Sequence, residues 1–377
     1  MEEFNVFNEV YNKVEKELMN MERVNILIIG KTGAGKSTLI NGVFRDKIAE
    51  TGIGKPVTQH LKKISKEGIP VNLYDTKGLE LSESVQAEIK KEILDEIDRC
   101  NEMCIKNNDK EALIHACWYC LDGAVRRCEK TDIEWINEIA EKIPVIVVIT
   151  KGFARKASKE FKEKVDELNL KCKSIVQVLA EAYDIGDEDN VFLIEPYGLD
   201  KLVDATCEVL PEGVRRAFNN AQKVNLDSKV KEARKWMARY TATTGAIGVS
   251  PIPFSDAPLL VGAQLTMLAH ITVIFGLSIE KSLLTAIIGS VAGISGTTLG
   301  GKTLVSNLLK FIPGIGTVAG GLISASVASM MTIALGSAYI SVLKYIVEEE
   351  NKGNEVTVEN IKEKMRESYK KEINLSK

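Results

Sequence analysis

The run Gly30-Lys31-Thr32-Gly33-Ala34-Gly35-Lys36-Ser37 has the spacing GxxxxGK[ST]. That spacing suits the grip of a polyphosphate. Glycines let the chain fold back so that successive backbone N–H groups point at one anion. A helix beginning at Lys36 would add the positive end of its dipole. Lys36 would reach the outer phosphate oxygens, and the Ser37 hydroxyl would ligate Mg²⁺. The expected phosphate contacts are Gly30, Thr32, Gly33, Ala34, Gly35, Lys36, Ser37 and Thr38.

Farther along, Asp75-Thr76-Lys77-Gly78 has the form DxxG. Asp75 would hold Mg²⁺ through water, and the Gly78 N–H would sense the terminal phosphate. Between the two motifs lies a loop, Gly52-Ile53-Gly54-Lys55-Pro56-Val57-Thr58-Gln59. Its Thr58, with Thr51 as the fallback, could place a hydroxyl on the metal only while a terminal phosphate is present. The loop would then be ordered with a triphosphate and loose with a diphosphate. The expected metal set is Ser37, Thr58 and Asp75, and the expected catalytic contacts are Lys36, Thr58 and Gly78. A second GxxxxGK[ST] match, at 296–303, lies in an apolar Gly-rich region without an acidic partner downstream and reads as coincidence.

The elements that must position these residues alternate. Apolar runs at 24–29, 71–74, 113–121, 144–150 and 191–194 read as strands. Helices are expected from Lys36 and over 83–104, 159–168 and 173–183. Runs as apolar as 144–150 suit central strands of a parallel sheet covered on both faces. The expected fold class is α/β, a doubly wound and mostly parallel sheet, followed by an all-α apolar C-terminal domain. The expected organisation is an amphipathic helix over 1–21, the phosphate-binding domain over 22–210 and a connecting helix over 211–240. A Gly-rich apolar helical domain over 241–347 and a charged, solvated helix over 348–377 complete it.

A chain of 377 residues with 45% hydrophobic content is large enough for one large domain or two ordinary ones. A formal net charge of -3 argues against a nucleic-acid partner, whose footprint would be basic. The N-terminus shows no charged-then-apolar leader, which implies a cytosolic, reducing compartment. Cys117 and Cys120 form a CxxC, but no second pair completes a zinc site. Three apart on a strand, they would face opposite sides and serve as small apolar core residues.

These motifs resemble the Era-like branch of the translation-factor GTPases. The phosphate loop is more similar to that of immunity-related GTPases and septins than to that of Ras. Lys55-Pro56-Val57-Thr58-Gln59, Trp118-Tyr119-Cys120 and Ser250-Pro251-Ile252-Pro253 together resemble bacterial GTPases that carry a YcjF-type C-terminal domain. The resemblance runs from about Arg23 to Val347 and implies GTP/GDP and Mg²⁺ as cofactors. The guanine element of such proteins is Asn-Lys-x-Asp after a strand, and this chain has Thr150-Lys151-Gly152-Phe153. Lys151 can lay its stem along a base, but Phe153 cannot accept the guanine hydrogen bonds that an Asp would take. Discrimination against adenine depends on such pairing of polar groups. The last family element, usually Ser-Ala-Lys, falls near Glu195-Pro196-Tyr197, where Glu195 or the backbone would read the base instead. The expected base contacts are Thr150, Lys151 and Glu195, with GTP expected over ATP. Leu79 stands where many small GTPases have a water-orienting Gln. Slow intrinsic hydrolysis follows, accelerated by a partner or by self-association, with Gln59, His60 and Arg45 as local substitutes. Gly33 in place of an Asn argues against potassium dependence.

Stretches 257–279, 282–301 and 311–343 carry no Asp, Glu, Lys or Arg, and each is long enough to span a bilayer. Pairs of glycines four apart, Gly289/Gly293, Gly296/Gly300 and Gly316/Gly320, would let helices approach closely. A compact helical bundle competes with membrane contact through 241–347. The sequence reads as a GTP-hydrolysing switch whose nucleotide state controls this helical region, expected in the cytoplasm at the inner face of the cell membrane, with a homodimer across the nucleotide face as a further expectation. Its rivals are a pore-forming or membrane-remodelling effector, a nucleotide-binding module with negligible turnover, and an ATPase.

Overall fold

The computed structural model describes residues 6–44, 48–76, 83–186, 192–247, 252–253, 257–277, 287, 322–323, 325–351, 354 and 356–375. Contacts divide the chain into two units, Met21–Asn225 on one side and Met1–Asn20 with Leu226–Lys377 on the other. The stretch 211–240 is therefore split at Asn225 rather than forming one connector.

In the Met21–Asn225 unit the strands are β1 (Val24–Gly30), β2 (Ile53–Pro56), β3 (Leu61–Lys66), β4 (Ile69–Thr76), β5 (Ala116–Asp122), β6 (Val145–Thr150) and β7 (Ser174–Gln177). They form one sheet in the order β2-β3-β4-β1-β5-β6-β7. The five strands from β4 to β7 run parallel, and β2 and β3 pair antiparallel at one edge. The strand interior is apolar on both faces because both are covered. Ile26 and Ile28 of β1 meet α2 (Lys36–Val43), α7 (Leu199–Val209) and α8 (Glu212–Ala221). Leu27 and Ile29 meet α4 (Glu83–Asn107), α5 (Lys130–Ala140) and α6 (Arg155–Glu167). On the first face Phe44 stacks on Trp118 at 5.7 Å, with the Phe218 ring edge-on to both. Cys117 and Cys120 are buried on opposite faces, which rules them out as one metal pair.

Three local expectations need correction. The segment 173–183 is not a helix: it supplies edge strand β7. The segment 191–194 is not the last strand of the sheet. Leu193–Ile194 instead pairs with Tyr183–Asp184 in a separate hairpin. Finally, the segment read as a loop at 52–59 contains β2, which adds a short polar strand to the sheet edge.

In the other unit, α1 (Val6–Met19), α9 (Leu226–Ile247), α10 (Ala257–Phe275), α11 (Ala325–Asn351) and α12 (Val358–Leu375) enclose one apolar core. Several of its buried polar groups pair with one another, although Glu232 Oε1 and Gln264 Oε1 are buried without a hydrogen-bond partner. Thr272 lies 2.7 Å from the Tyr339 hydroxyl, and the Lys229 ammonium donates to the Phe275 carbonyl at the end of α10. His270 is held between the Tyr240 hydroxyl at 2.7 Å and the Glu17 carboxylate at 2.8 Å. The C-terminal helix is not solvated all round. Ile361, Met365, Tyr369 and Ile373 recur every four residues and are buried. One described helix, Ser326–Glu350, is long and apolar enough to cross a bilayer, and 61% of that window is buried within the protein. The glycine pairs, the second GxxxxGK[ST] match and nearly all of the 282–301 stretch lie outside the described residues, whereas 257–277 of the first charge-free stretch is described and contains α10.

Candidate functional site

The C-terminal ends of β1, β4, β5 and β6 converge, as ligand sites of open parallel sheets require. Strand β1 ends at Gly30, whose place beside β5 leaves no room for a side chain: a Cβ would sit 2.8 Å from the Cys120 carbonyl oxygen. The chain then turns through Gly33 and Gly35, at φ 75° and 80°, a region that only glycine enters without strain. Gly35 is thus the N-cap of α2, and the turn delivers the free N–H groups of the helix start to the loop. Lys36 folds back over the loop, its ammonium donating to Gly30 O at 2.8 Å and Lys31 O at 3.3 Å. Thr32 and Ser37 are exposed, Thr38 is half-buried, and Ala34 is buried beneath the loop.

Asp75 stands in register with Ile28, one strand over. Its Oδ1 is buried without a hydrogen-bond partner. Burial raises the carboxyl pKa, and the nearby cations Lys36 and Lys62 pull the other way without cancelling it. A buried carboxylate oxygen with no donor, next to the Lys36 loop, is the donor set that a hard divalent cation takes. The residues therefore fit Mg²⁺, with Ser37 on the adjoining helix turn.

Thr58 sits in the tight turn joining β2 to β3, where Val57 N and Thr58 N both donate to Leu61 O. Its hydroxyl donates to Glu92 Oε2 of α4 at 2.5 Å and accepts from Leu61 N at 3.1 Å. His60 is buried beside it, Nδ1 lying 3.2 Å from Glu92 Oε1. Burial disfavours the Glu92 charge, but bonds from Thr58 and His60 outweigh it, so the carboxyl pKa falls below its usual value. In this arrangement Thr58 is committed to Glu92. Gly78, Leu79 and Arg45 lie outside the described residues, as does the Thr51 side chain.

Thr150 is the last residue of β6, and Lys151 follows it. The Thr150 hydroxyl donates to Ala34 O at 2.6 Å and lies 3.1 Å from Leu121 O, tying the end of β6 to the phosphate loop. Lys151, at φ 51°, sends its ammonium to Asp122 Oδ2 at 2.8 Å. Asp122 Oδ1 accepts from Ala124 N and Val125 N. Burial opposes that charge, yet Lys151 and the two amides hold the carboxyl below the usual range. Phe153 stacks on Tyr183 with ring centroids 4.3 Å apart. Glu195 is exposed and has no hydrogen bond or ion pair among the described residues. The neighbour that does reach this corner is Tyr197, which donates to Gly152 O at 2.6 Å and accepts from Gln177. Asp122 and Tyr197 are the residues that motif reading missed. The position of Asp122 at the C-terminal tip of a central strand was the available signal.

Sheet order, phosphate loop and the Asp75 position define a domain of the P-loop GTPase fold. Residues 25–151 match the family described as 50S ribosome-binding GTPase, and residues 214–370 match the Domain of unknown function (DUF697). The chain is 27% identical to Septin-9 of Rattus norvegicus over 147 residues, covering 34% of this chain and 26% of that protein. It is 30% identical to the tRNA modification GTPase MnmE of Treponema denticola over 163 residues, covering 43% and 32%. Translocase of chloroplast 101 of Physcomitrium patens is 36% identical over 93 residues, covering 21% and 10%. The chain therefore spans about a third or less of the length of these relatives.

Proposed function

We propose that the chain binds GTP and hydrolyses it to GDP, using the nucleotide as a switch. One observation carries this reading: the ammonium of Lys36 folds back onto the glycine turn at Gly30 O, beside the unpartnered carboxylate oxygen of Asp75. The loop amides and Lys36 bind the phosphates, and Ser37, Asp75 and Thr58 hold Mg²⁺. The ion, when bound, neutralises charge developing between the outer phosphates. Lys151, propped by Asp122, lies along the base. Phe153 supplies no acceptor for guanine, so selectivity falls to the backbone of the 195–197 segment and to Glu195.

In the triphosphate state the Thr58 hydroxyl would leave Glu92 and serve as a ligand for Mg²⁺. Loss of the terminal phosphate would return it. This exchange is the switch, and its pull reaches the helical unit through both chain crossings, Asn20–Met21 and Asn225–Leu226. Membrane contact by the helical unit, a homodimer across the nucleotide face and slow turnover without a partner belong to the same reading. The Ser326–Glu350 helix has the length and apolarity that membrane contact needs. The decisive experiment is calorimetry with GTP, GDP and ATP on wild type and Lys36→Ala. Magnesium-dependent GTP binding lost in the variant is expected. ATP binding as well as GTP would remove the guanine assignment, and retention in the variant would remove the site. Turnover with and without liposomes then separates a switch from a binding module.

A further inference from the structure

A cleft of 490 Å³ opens at the β2–β3 edge of the sheet, away from the central strand that carries the phosphate loop. Arg23, which lines it, precedes the first residue of β1, whereas the phosphate loop follows the last. Lys63 and Lys55 stand level with Tyr74, one residue before Asp75, and are separated from β1 sideways, by two and three strands at about 4.8 Å each. The volume is that of a small-molecule site. Its charged lining is Arg23, Lys55, Lys63 and Arg99, with Asp109 and Glu111.

The cations are arranged against the interest of the fold alone. Lys55 of β2 and Lys63 of β3 stand directly opposite in register, and like charges so placed destabilise a strand pair. Lys63 is half-buried over the Tyr74 ring, 5.3 Å from its centroid, and burial lowers its pKa. Neither lysine has an ion-pair partner among the described residues. The buried carboxylate nearby, Glu96, is already bound by Arg99 through Nε at 2.7 Å and Nη2 at 2.6 Å. Arg23 donates to Asn72 Oδ1 and to the carbonyls of Lys66, Ile69 and Val71, all uncharged acceptors.

We propose that this cleft binds a small phosphate-bearing anion between Lys55 and Lys63. An anion there would relieve their repulsion and accept from both ammonium groups. Lys55 lies three residues before Thr58, and Arg99 lies seven residues, about two helical turns, after Glu92 on α4. An occupant would thus join the strand and the helix whose Thr58–Glu92 contact the nucleotide must break. This last consequence rests on the reading of Thr58. The binding itself does not.

The test is calorimetry with inorganic pyrophosphate at low ionic strength on the full chain. Four proteins are compared: wild type, Lys36→Ala, and, both in the Lys36→Ala background so that the phosphate loop does not mask the result, Lys55→Gln/Lys63→Gln and the control Lys156→Gln/Lys164→Gln, which removes equal charge elsewhere. Binding should survive in Lys36→Ala and in the control, and weaken by about tenfold or more in the cleft variant. If the cleft variant does not fold, Lys55→Gln alone, at an exposed position, carries the comparison. Sedimentation with vesicles containing phosphatidic acid separates the two sources of this chemistry. Lysine-dependent binding of pyrophosphate assigns a soluble ligand, and lysine-dependent binding of the vesicles alone assigns a lipid headgroup. The proposal is overturned if neither probe binds, if the control weakens as much as the cleft variant, or if Lys36→Ala alone already abolishes the binding of pyrophosphate and the vesicles show no dependence on the two lysines.

Discussion

Mild acid should destabilise the Met21–Asn225 unit through one side chain, His115. The residue is 7% exposed, and its Nδ1 accepts from Asn25 N at 3.0 Å while its own N–H donates to Asn25 O at 2.9 Å. A proton on Nδ1 would face another N–H and break that exchange. Burial lowers the pKa from 6.5 to about 4. The folded state thus takes the proton only near pH 4, whereas the unfolded chain takes it near 6.5. The stability is fully present above the unfolded value and is lost as pH falls toward the folded one. The gap corresponds to about 3 kcal/mol. The comparison protein is His115→Gln, which keeps an acceptor and cannot titrate. Urea unfolding read by pulse proteolysis of this unit, across pH 7 to 4 (about the window of the shift), should show a steeper loss in wild type. With only three histidines in the chain, ring-proton NMR identifies the His115 signal by its absence in the variant. Parallel pH profiles for the two proteins, or a His115 ring that titrates near 6.5, would refute the reasoning.

Asp75→Asn should raise the melting temperature of the nucleotide-free protein, because burial disfavours the native charge, while removing the magnesium dependence of nucleotide binding. A lowered melting temperature would contradict the first half. Thr150→Val deletes a buried hydroxyl that satisfies Ala34 O and should cost about 1–3 kcal/mol in urea unfolding, with weaker nucleotide binding by calorimetry. Glu92→Ala removes the competitor for the Thr58 hydroxyl and should tighten binding of a non-hydrolysable GTP analogue by up to about tenfold, leaving GDP binding unchanged. Met365→Ala, at a fully buried position of α12, should destabilise the helical unit by about 2–5 kcal/mol in thermal unfolding.

The phosphate loop was legible because its glycine spacing and the apolar run before it have one common physical solution. The fully buried strands β1 and β6 were legible for the same reason, being apolar on both faces. Edge strands were not. In β3 only Leu61 and Ile64 are buried, and lysines fill most of the rest, so no alternation signals a strand. In 173–183 the apolar positions Ile175, Val176, Val178 and Leu179 suit a helix face as well as a strand, and periodicity cannot arbitrate over so short a run. The C-terminal helix hid its core stripe among charges on its other sides. At the base corner, the missing Asp of the guanine element was visible, but the contacts that Asp122 and Tyr197 make instead are long-range. They arise from strand ends that only the folded sheet brings together.

The helical unit is built from both extremities of the chain, α1 from one and α9 to α12 from the other. The nucleotide-binding unit is therefore an insertion, spliced into a host whose own core is discontinuous. During synthesis α1 leaves the ribosome long before the helices that bury Val10, so its apolar side waits for them while the inserted sheet forms. The same arrangement means that trimming the first helix strips the far end of the chain of part of its packing, and leaves the sheet that follows it whole.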